Sequence, residues 1–272
     1  MVDESTTSIR SVERAAAIVQ AIADAGKAGS RLTDVAVATG LSKTTTHRLL
    51  GTLCNLGWVE LDEQNATYVL GYPLVALGLA ASDRHGFLNL AAPHLLRLAE
   101  LTGDTVYLTV KAGAQAVCID RVLGTFPIRA VTTNIGERRI LGSCAGSLAL
   151  LAWADPDEVE RLLVSLPSVE LAAGPVPDPA ELPMLIQRAR VRGYTQTPAM
   201  LVPGAEGLGV PVLSATGTAI AAFSVDAIAA RLSEPRRSQV AEWMKREAAV
   251  LAHRLRQFDS APSEGTVRRL LQ

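Results

Sequence analysis

Long apolar runs are absent from this sequence. No stretch approaches the roughly 18 residues that a membrane-crossing helix needs. The opening residues, Met1-Val2-Asp3-Glu4-Ser5, are acidic and polar and lack both the basic and the apolar part of a secretion signal. Cysteine is scarce. Cys54, Cys118 and Cys144 are odd in number and far apart, which argues against a disulfide framework and suits free thiols in a reducing cytoplasm. His47, His85, His94 and His253 show no metal-ligand spacing with one another or with the cysteines, so no metal and no cofactor is expected. An excess of positive charge is also missing. The formal net charge is −1, and residues 1–85 carry seven Lys and Arg against nine acids. Bulk charge therefore exerts no pull toward nucleic acid.

What the chain has is length and apolar content. Its 272 residues are 49% hydrophobic and only 4% aromatic, enough for two domains with aliphatic cores. Residues 8–25 read as an amphipathic helix, with Val12, Ala15, Ala16, Val19, Ile22 and Ala23 on its apolar face and Ser8 as its cap. Thr33 is placed to cap a short helix that ends at Gly40. Ser42 is placed to cap a third helix running to about Asn55, closed by Gly57. Trp58–Leu61 and Thr67–Leu70 read as strands around the turn cluster Glu63-Gln64-Asn65. Three helices and a hairpin make a winged helix-turn-helix over residues 1–71, followed by a linker helix over 72–85.

From residue 86 to 260 the pattern is mixed α and β. A helix is expected over Leu88–Leu101, and hairpins over Thr105–Val122 and Leu208–Val225. A further strand is expected at Ile128–Thr132, and helices near Gly146, after Asp155-Pro156, before Gly193 and over Pro235–Gln257. Residues 167–179 read as a Pro-rich loop and 261–272 as a tail.

The most informative stretch is Ser42-Lys43-Thr44-Thr45-Thr46-His47-Arg48-Leu49. It lies in a window from Asp34 to Glu60 that contains no acid, while Lys43, His47 and Arg48 fall inside it. A helical projection puts Thr46, Leu49, Leu50 and Leu53 on one face. Thr44, His47 and Arg48 fall on the other, with Lys43 and Thr45 exposed in the first turn. Arg and Lys on such a face suit guanine edges and phosphates, and Thr suits phosphates and thymine methyls. The bland alternative is a solvated face on an ordinary surface helix. Arg10 and Arg14 are placed either for phosphate contact or for a solvated salt bridge, and the wing tip (Asp62, Glu63) is acidic and earns no phosphate role.

These segments resemble the IclR family of bacterial transcription regulators. The resemblance is carried by Ser11-Val12-Glu13-Arg14-Ala15, Leu32-Thr33-Asp34-Val35-Ala36, Gly40–Thr45, His47-Arg48-Leu49-Leu50, Leu56-Gly57-Trp58-Val59 and Tyr68–Gly71. It continues through Leu101–Val106, Asp120-Arg121-Val122, Arg192-Gly193-Tyr194, Pro203-Gly204 and Pro211-Val212, so it spans about residues 8–257.

It implies an α+β chain: a winged helix-turn-helix, then a linker helix, then a GAF-like α/β effector-binding domain. It also implies a homodimer or tetramer, repressor or activator, that binds palindromic double-stranded operator DNA in the cytoplasm. The DNA-facing set is then Arg10, Thr33, Ser42, Lys43, Thr44, Thr45, His47 and Arg48. By position, the pocket for a small-molecule effector, a small organic or aromatic acid, would be walled by Ile128, Ala130, Cys144, Ala145, Gly146, Thr197, Leu201, Gly207, Leu208, Ser224 and Asp226. Many relatives carry an acid where this chain has Thr197 and a Cys where it has Gly207.

An enzymatic reading competes. Gly142-Ser143-Cys144-Ala145-Gly146 has the spacing of a nucleophile elbow with Cys for Ser, and Asp226 and His253 follow in triad order. That alternative is a cysteine hydrolase.

Overall fold

The structure is a computed structural model that describes residues 9–113, 115–165, 178–198 and 202–259. The Pro-rich stretch from 167 to 177, Leu201, Ser8 and the tail from 261 lie outside the described residues. The chain divides into two compact units, residues 1–83 and 84–272.

The first unit contains helices α1 (Arg10–Asp24), α2 (Leu32–Thr39) and α3 (Lys43–Asn55) and the hairpin β1 (Val59–Asp62) and β2 (Thr67–Leu70). Its core is aliphatic: Ile18 and Ile22 of α1, Val35 of α2, Leu50 and Leu53 of α3, and Val59. Ile18 and Ile22 stand four apart, so both project from one side of α1. Val12, expected in the same stripe, is 63% exposed. The turn between α2 and α3 needs a left-handed residue, and Gly40 supplies it at φ 65°. Ser42 then caps α3, its hydroxyl accepting from the Thr45 N–H at 3.2 Å. Gly57 follows α3 at φ 69°, in the left-handed region expected of it. Thr33 is not the cap of α2. Arg31 holds that position, and the Thr33 hydroxyl donates to Asp34. Helix α4 (Tyr72–His85) leads out of this unit.

In the second unit, α5 (Phe87–Thr102) precedes β3 (Thr105–Ala112), β4 (Gln115–Val122) and β5 (Arg138–Ile140). Helices α6 (Ala145–Ala152), α7 (Pro156–Ser165) and α8 (Leu182–Arg192) follow. Then come β6 (Thr195–Pro198), β7 (Ala205–Leu213), β8 (Ala219–Ile228) and α9 (Arg236–Asp259). Among the described residues the strands form one antiparallel sheet in the order β5-β4-β3-β8-β7-β6. Side chains alternate between the faces of such a sheet. Val106, Leu108, Leu208, Phe223 and Val225 face a core shared with Leu95 and Leu98 of α5 and Val240, Met244 and Leu251 of α9. Buried Ala222 belongs instead to the cluster of α6 and α8 on the opposite face.

One expectation fails here, and one strand was not expected. Ile128–Thr132 is not a strand. The place beside β4 is taken by β5, which pairs with Gln115–Val117, while the backbone at 130–132 bonds to side chains. Strand β6 was missed altogether, since four residues directly after a helix give too short a pattern to read.

Candidate DNA interface and candidate effector site

Helix α3 buries Thr46, Leu50 and Leu53 and leaves Lys43, Thr44, His47 and Arg48 exposed. The first-turn hydroxyls are already engaged. Thr45 Oγ1 lies 2.9 Å from Ser42 Oγ, and Thr46 Oγ1 donates to the Ser42 carbonyl at 3.0 Å. Thr45 is half-buried as a result. No hydrogen bond or ion pair ties the side chains of Lys43, His47 or Arg48 to other described residues. The geometry thus presents two cations, an imidazole and Thr44 on one outward face. Arg10 and Thr33 are also exposed. At the wing tip, Asp62 accepts from the Gln64 and Asn65 N–H groups and from the Asn65 amide at 2.7 Å. The Asn65 amide in particular holds its carboxyl below the usual range. The acid is there to close the turn.

In the second unit, cross-strand register builds two polar rows on the face opposite the α5–α9 core. Thr105, Asp226, Gly207 and Thr197 stand opposite one another in one row, and Tyr107, Ser224, Gly209 and Thr195 in the next. The N-terminus of α6 packs onto these rows through small residues. A Cβ on Gly146 would lie 3.2 Å from Ser224 Oγ, and one on Gly207 would lie 2.7 Å from Asp226 Oδ1 and 3.0 Å from the Ala145 Cβ. The result is a small, partly enclosed cavity of about 10 Å³, the space of a single water. Tyr107, Thr109, Cys118, Arg139, Cys144, Ser224 and Asp226 line it, with Ala116 and Thr133.

The irregular segment between β4 and β5 covers the cavity as a strap. The Tyr107 hydroxyl donates to the Ala130 carbonyl at 3.1 Å and accepts from the Thr132 N–H at 2.9 Å. The Thr132 hydroxyl donates to Asp226, Arg139 donates to the Thr132 carbonyl, and Arg121 donates to that of Thr133. Burial pushes the Tyr107 hydroxyl up to about 12, helped by the charge of Asp226, and pushes the Cys118 thiol up to about 12.

Of the residues expected to form a pocket, Cys144, Ser224 and Asp226 line this cavity; Ala145, Gly146, Thr197 and Gly207 stand next to Ser224 or Asp226, and the Ala130 carbonyl accepts from Tyr107. Two do not join them. Leu208 stands opposite Val225 and is buried in the α5–α9 core, because neighbours of Gly207 in a strand must point the other way. Ile128 is 59% exposed. Sequence reasoning missed Tyr107, Thr109, Cys118, Thr132 and Arg139. The alternation Thr105-Val106-Tyr107-Leu108-Thr109-Val110 carried the signal for the first two, since every second residue is polar or hydroxylated.

Asp226 is the electrostatic outlier. Burial raises its carboxyl from 3.8 to about 6, against the opposing hydrogen bond from Thr132. That gap is worth roughly 3 kcal/mol. The unfolded chain releases this proton near pH 4 and the folded chain near pH 6, so stability falls as pH rises through that window. Asp226→Asn is expected to be more stable than the parent above pH 6, by up to about 3 kcal/mol, with the difference gone near pH 4. Urea unfolding of both proteins across that range checks it; equal stabilities at neutral pH would contradict it.

The hydrolase alternative finds no support in this geometry. Cys144 Sγ donates to Ser147 Oγ at 3.2 Å, within the capping box of α6, and burial raises the thiol pKa, away from the thiolate a nucleophile needs. His253 is on α9, which packs on the other side of the sheet, and bonds to Gln257 at 3.0 Å.

A winged helix-turn-helix with an acid-free, unengaged helix face, on one chain with an α/β unit that holds a small cavity lined by Asp226, Ser224 and Arg139, defines a DNA-binding regulator. The comparisons narrow the class. Residues 11–63 match the family model of the IclR helix-turn-helix domain, and residues 79–253 match that of the bacterial transcriptional regulator IclR C-terminal region. The chain is 30% identical to the HTH-type transcriptional regulator BhcR of Paracoccus denitrificans over 95% of its own length and 90% of that protein's. It is 27% identical to KdgR of Escherichia coli over 86% and 88%. Among solved structures it resembles the IclR transcriptional regulator of Alicyclobacillus acidocaldarius, with a TM-score of 0.77, 24% identity and coverage of 90% and 98%. It also resembles an IclR homologue of Microbacterium hydrocarbonoxydans complexed with 4-hydroxybenzoate, with a TM-score of 0.72, 22% identity and coverage of 91% and 99%. This chain belongs to the IclR family of bacterial transcriptional regulators.

Proposed function

We propose that this regulator binds a palindromic operator as a homodimer or a tetramer of two such dimers, and that a small organic acid bound in the cavity under the strap adjusts its operator affinity. Recognition rests on Lys43, Thr44, Thr45, His47 and Arg48, with Ser42 and the N-terminus of α3 turned to phosphate and Arg10 and Thr33 flanking. The observation that carries the reading is the free, acid-free face of α3. A formal charge near zero makes one module a weak binder, so two half-sites must act together.

Helix α4 supports the dimer. Its sequence, Tyr72-Pro73-Leu74-Val75-Ala76-Leu77-Gly78-Leu79-Ala80, is apolar on every side, yet Tyr72 is 82%, Val75 56% and Leu77 53% exposed in the single chain. A helix apolar all round needs a cover, and a second copy of α4 provides a self-complementary one. The double variant Val75→Glu/Leu77→Glu is expected to sediment as a monomer at micromolar concentration and to lose operator binding by about two orders of magnitude or more. An unchanged sedimentation coefficient would contradict the assignment of α4.

The ligand side is supported by the polar groups of Ser224, Asp226 and Arg139 that line the cavity and by the 4-hydroxybenzoate complex of the Microbacterium relative. The effector acts only as far as its affinities for two placements of the DNA-binding units differ. A thermal-shift panel of small organic acids tests this part. A ligand that raises the melting temperature, and fails to do so in the cavity-filling variant Ser224→Leu, supports it. A panel without any stabilising compound speaks against it.

A further inference from the structure

We propose that Thr132 occupies the effector's place beside the cavity, where it bonds to Asp226 and Arg139, and that the effector is a small zwitterion whose ammonium and carboxylate are separated by two carbons. This rests on the reading of the cavity as the effector site. Thr132 touches both charged walls. Its hydroxyl donates to Asp226, and its carbonyl accepts from Arg139 Nη2 at 3.2 Å. The two oxygens are joined through Cβ, Cα and the carbonyl carbon. The nitrogen and a carboxylate oxygen of a β-amino acid are joined in the same way.

A zwitterion satisfies each wall better than threonine does. Asp226 is 9% exposed, and among the described residues the Thr132 hydroxyl is the one hydrogen-bond donor to its carboxylate, with no cation paired to it. A buried carboxylate facing only a neutral donor is poorly compensated, and an ammonium in that position supplies the missing charge. The Arg139 side chain is 11% exposed and its Nε–H has no partner, so the guanidinium keeps a free donor for a carboxylate oxygen. Glu137 already neutralises Arg139, which leaves the cavity walls with the charge of Asp226 uncancelled. A plain carboxylate would add a second negative charge beside it, whereas a zwitterion adds none.

The ligand would need the Asp226 and Arg139 groups that Thr132 now holds, and the space beside them is that of about one water, so ligand and Thr132 exclude each other. The strap can yield, because side chains rather than a strand ladder hold residues 130–133.

The test is calorimetric titration of the full chain near neutral pH. β-Alanine and 3-aminoisobutyrate are compared with propionate and isobutyrate, which lack the amine, and with glycine and 4-aminobutyrate, which change the spacing. The two-carbon zwitterions are expected to bind about tenfold or more tighter than the other four. Asp226→Asn is expected to erase the preference over propionate and isobutyrate. Thr132→Val, which removes the internal competitor's donor, is expected to tighten β-alanine binding several-fold. Equal or tighter binding of the acids without an amine, or an unchanged preference in Asp226→Asn, overturns the proposed zwitterion, and tighter glycine or 4-aminobutyrate binding overturns the spacing. In these cases the effector-site reading stands if Ser224→Leu still abolishes binding. No binding by any of the six overturns the zwitterion, and the effector-site reading then stands or falls with the thermal-shift panel of organic acids; binding that survives Ser224→Leu overturns both.

Discussion

Arg48→Ala is expected to weaken operator binding by about 1–3 kcal/mol per half-site, roughly 5- to 150-fold. A two-fold dimer carries the change twice, so the loss compounds. The side chain is exposed on the polar face of α3 and no other described residue holds it, so its removal has nothing in the fold to break. Thermal stability should therefore stay within about 0.5 kcal/mol of the parent. Arg48→Lys separates base reading from phosphate contact. It keeps the charge but not the planar fork, so recovery by Lys marks a phosphate contact and no recovery marks a base contact. Equal operator affinity of Arg48→Ala and the parent would remove α3 from the interface.

Gly209→Ala is expected to cost about 3 kcal/mol, at the upper end of what overpacking does. A Cβ at this position would stand 2.2 Å from the Ala145 carbonyl oxygen and 2.5 Å from Thr195 Oγ1. The first of these is backbone and cannot rotate away. Thr195 Oγ1 meanwhile donates to that same Ala145 carbonyl at 2.7 Å, so the methyl also breaks the tie between β6 and α6. The helix start must lift off the sheet, and the cavity beneath it changes shape. Gly51 makes the contrast. It lies in the exposed face of α3 with nothing within 4 Å of an added Cβ, so Gly51→Ala should stabilise the fold by about 0.5–1 kcal/mol. Urea unfolding of both variants decides. A Gly209→Ala protein as stable as the parent would show that α6 is not seated as described.

The DNA-binding unit was legible because its signals are local. Ser42 at the cap, Gly40 in the turn and the spacing of Thr46, Leu50 and Leu53 each depend on residues within a turn or two of one another. The cavity was legible only in part because its walls meet through strand pairing. Whether Arg139 reaches the site depends on β5 joining β4 at Gln115–Val117, and no local pattern in the sequence announces a three-residue strand. Thr132 was misread for a related reason. β-branched residues around it suit a strand, but its N–H goes to the Tyr107 hydroxyl, a partner far along the chain. The misplacement of Leu208 was avoidable. Gly207 and Leu208 are adjacent in one strand and cannot both face α6, and the alternation rule alone puts one of them in the core.

The central claim is that one ligand-responsive chain reads DNA through α3. Its most direct test is fluorescence anisotropy of the intergenic DNA beside this gene, titrated with the full chain at fixed salt. The titration is run with and without a compound shown to bind the cavity, for the parent and for Arg48→Ala. The account predicts saturable binding by the parent, a shift in its midpoint when the compound is present, and a large loss of affinity in Arg48→Ala. Tight binding that neither the compound nor the loss of Arg48 changes would contradict it.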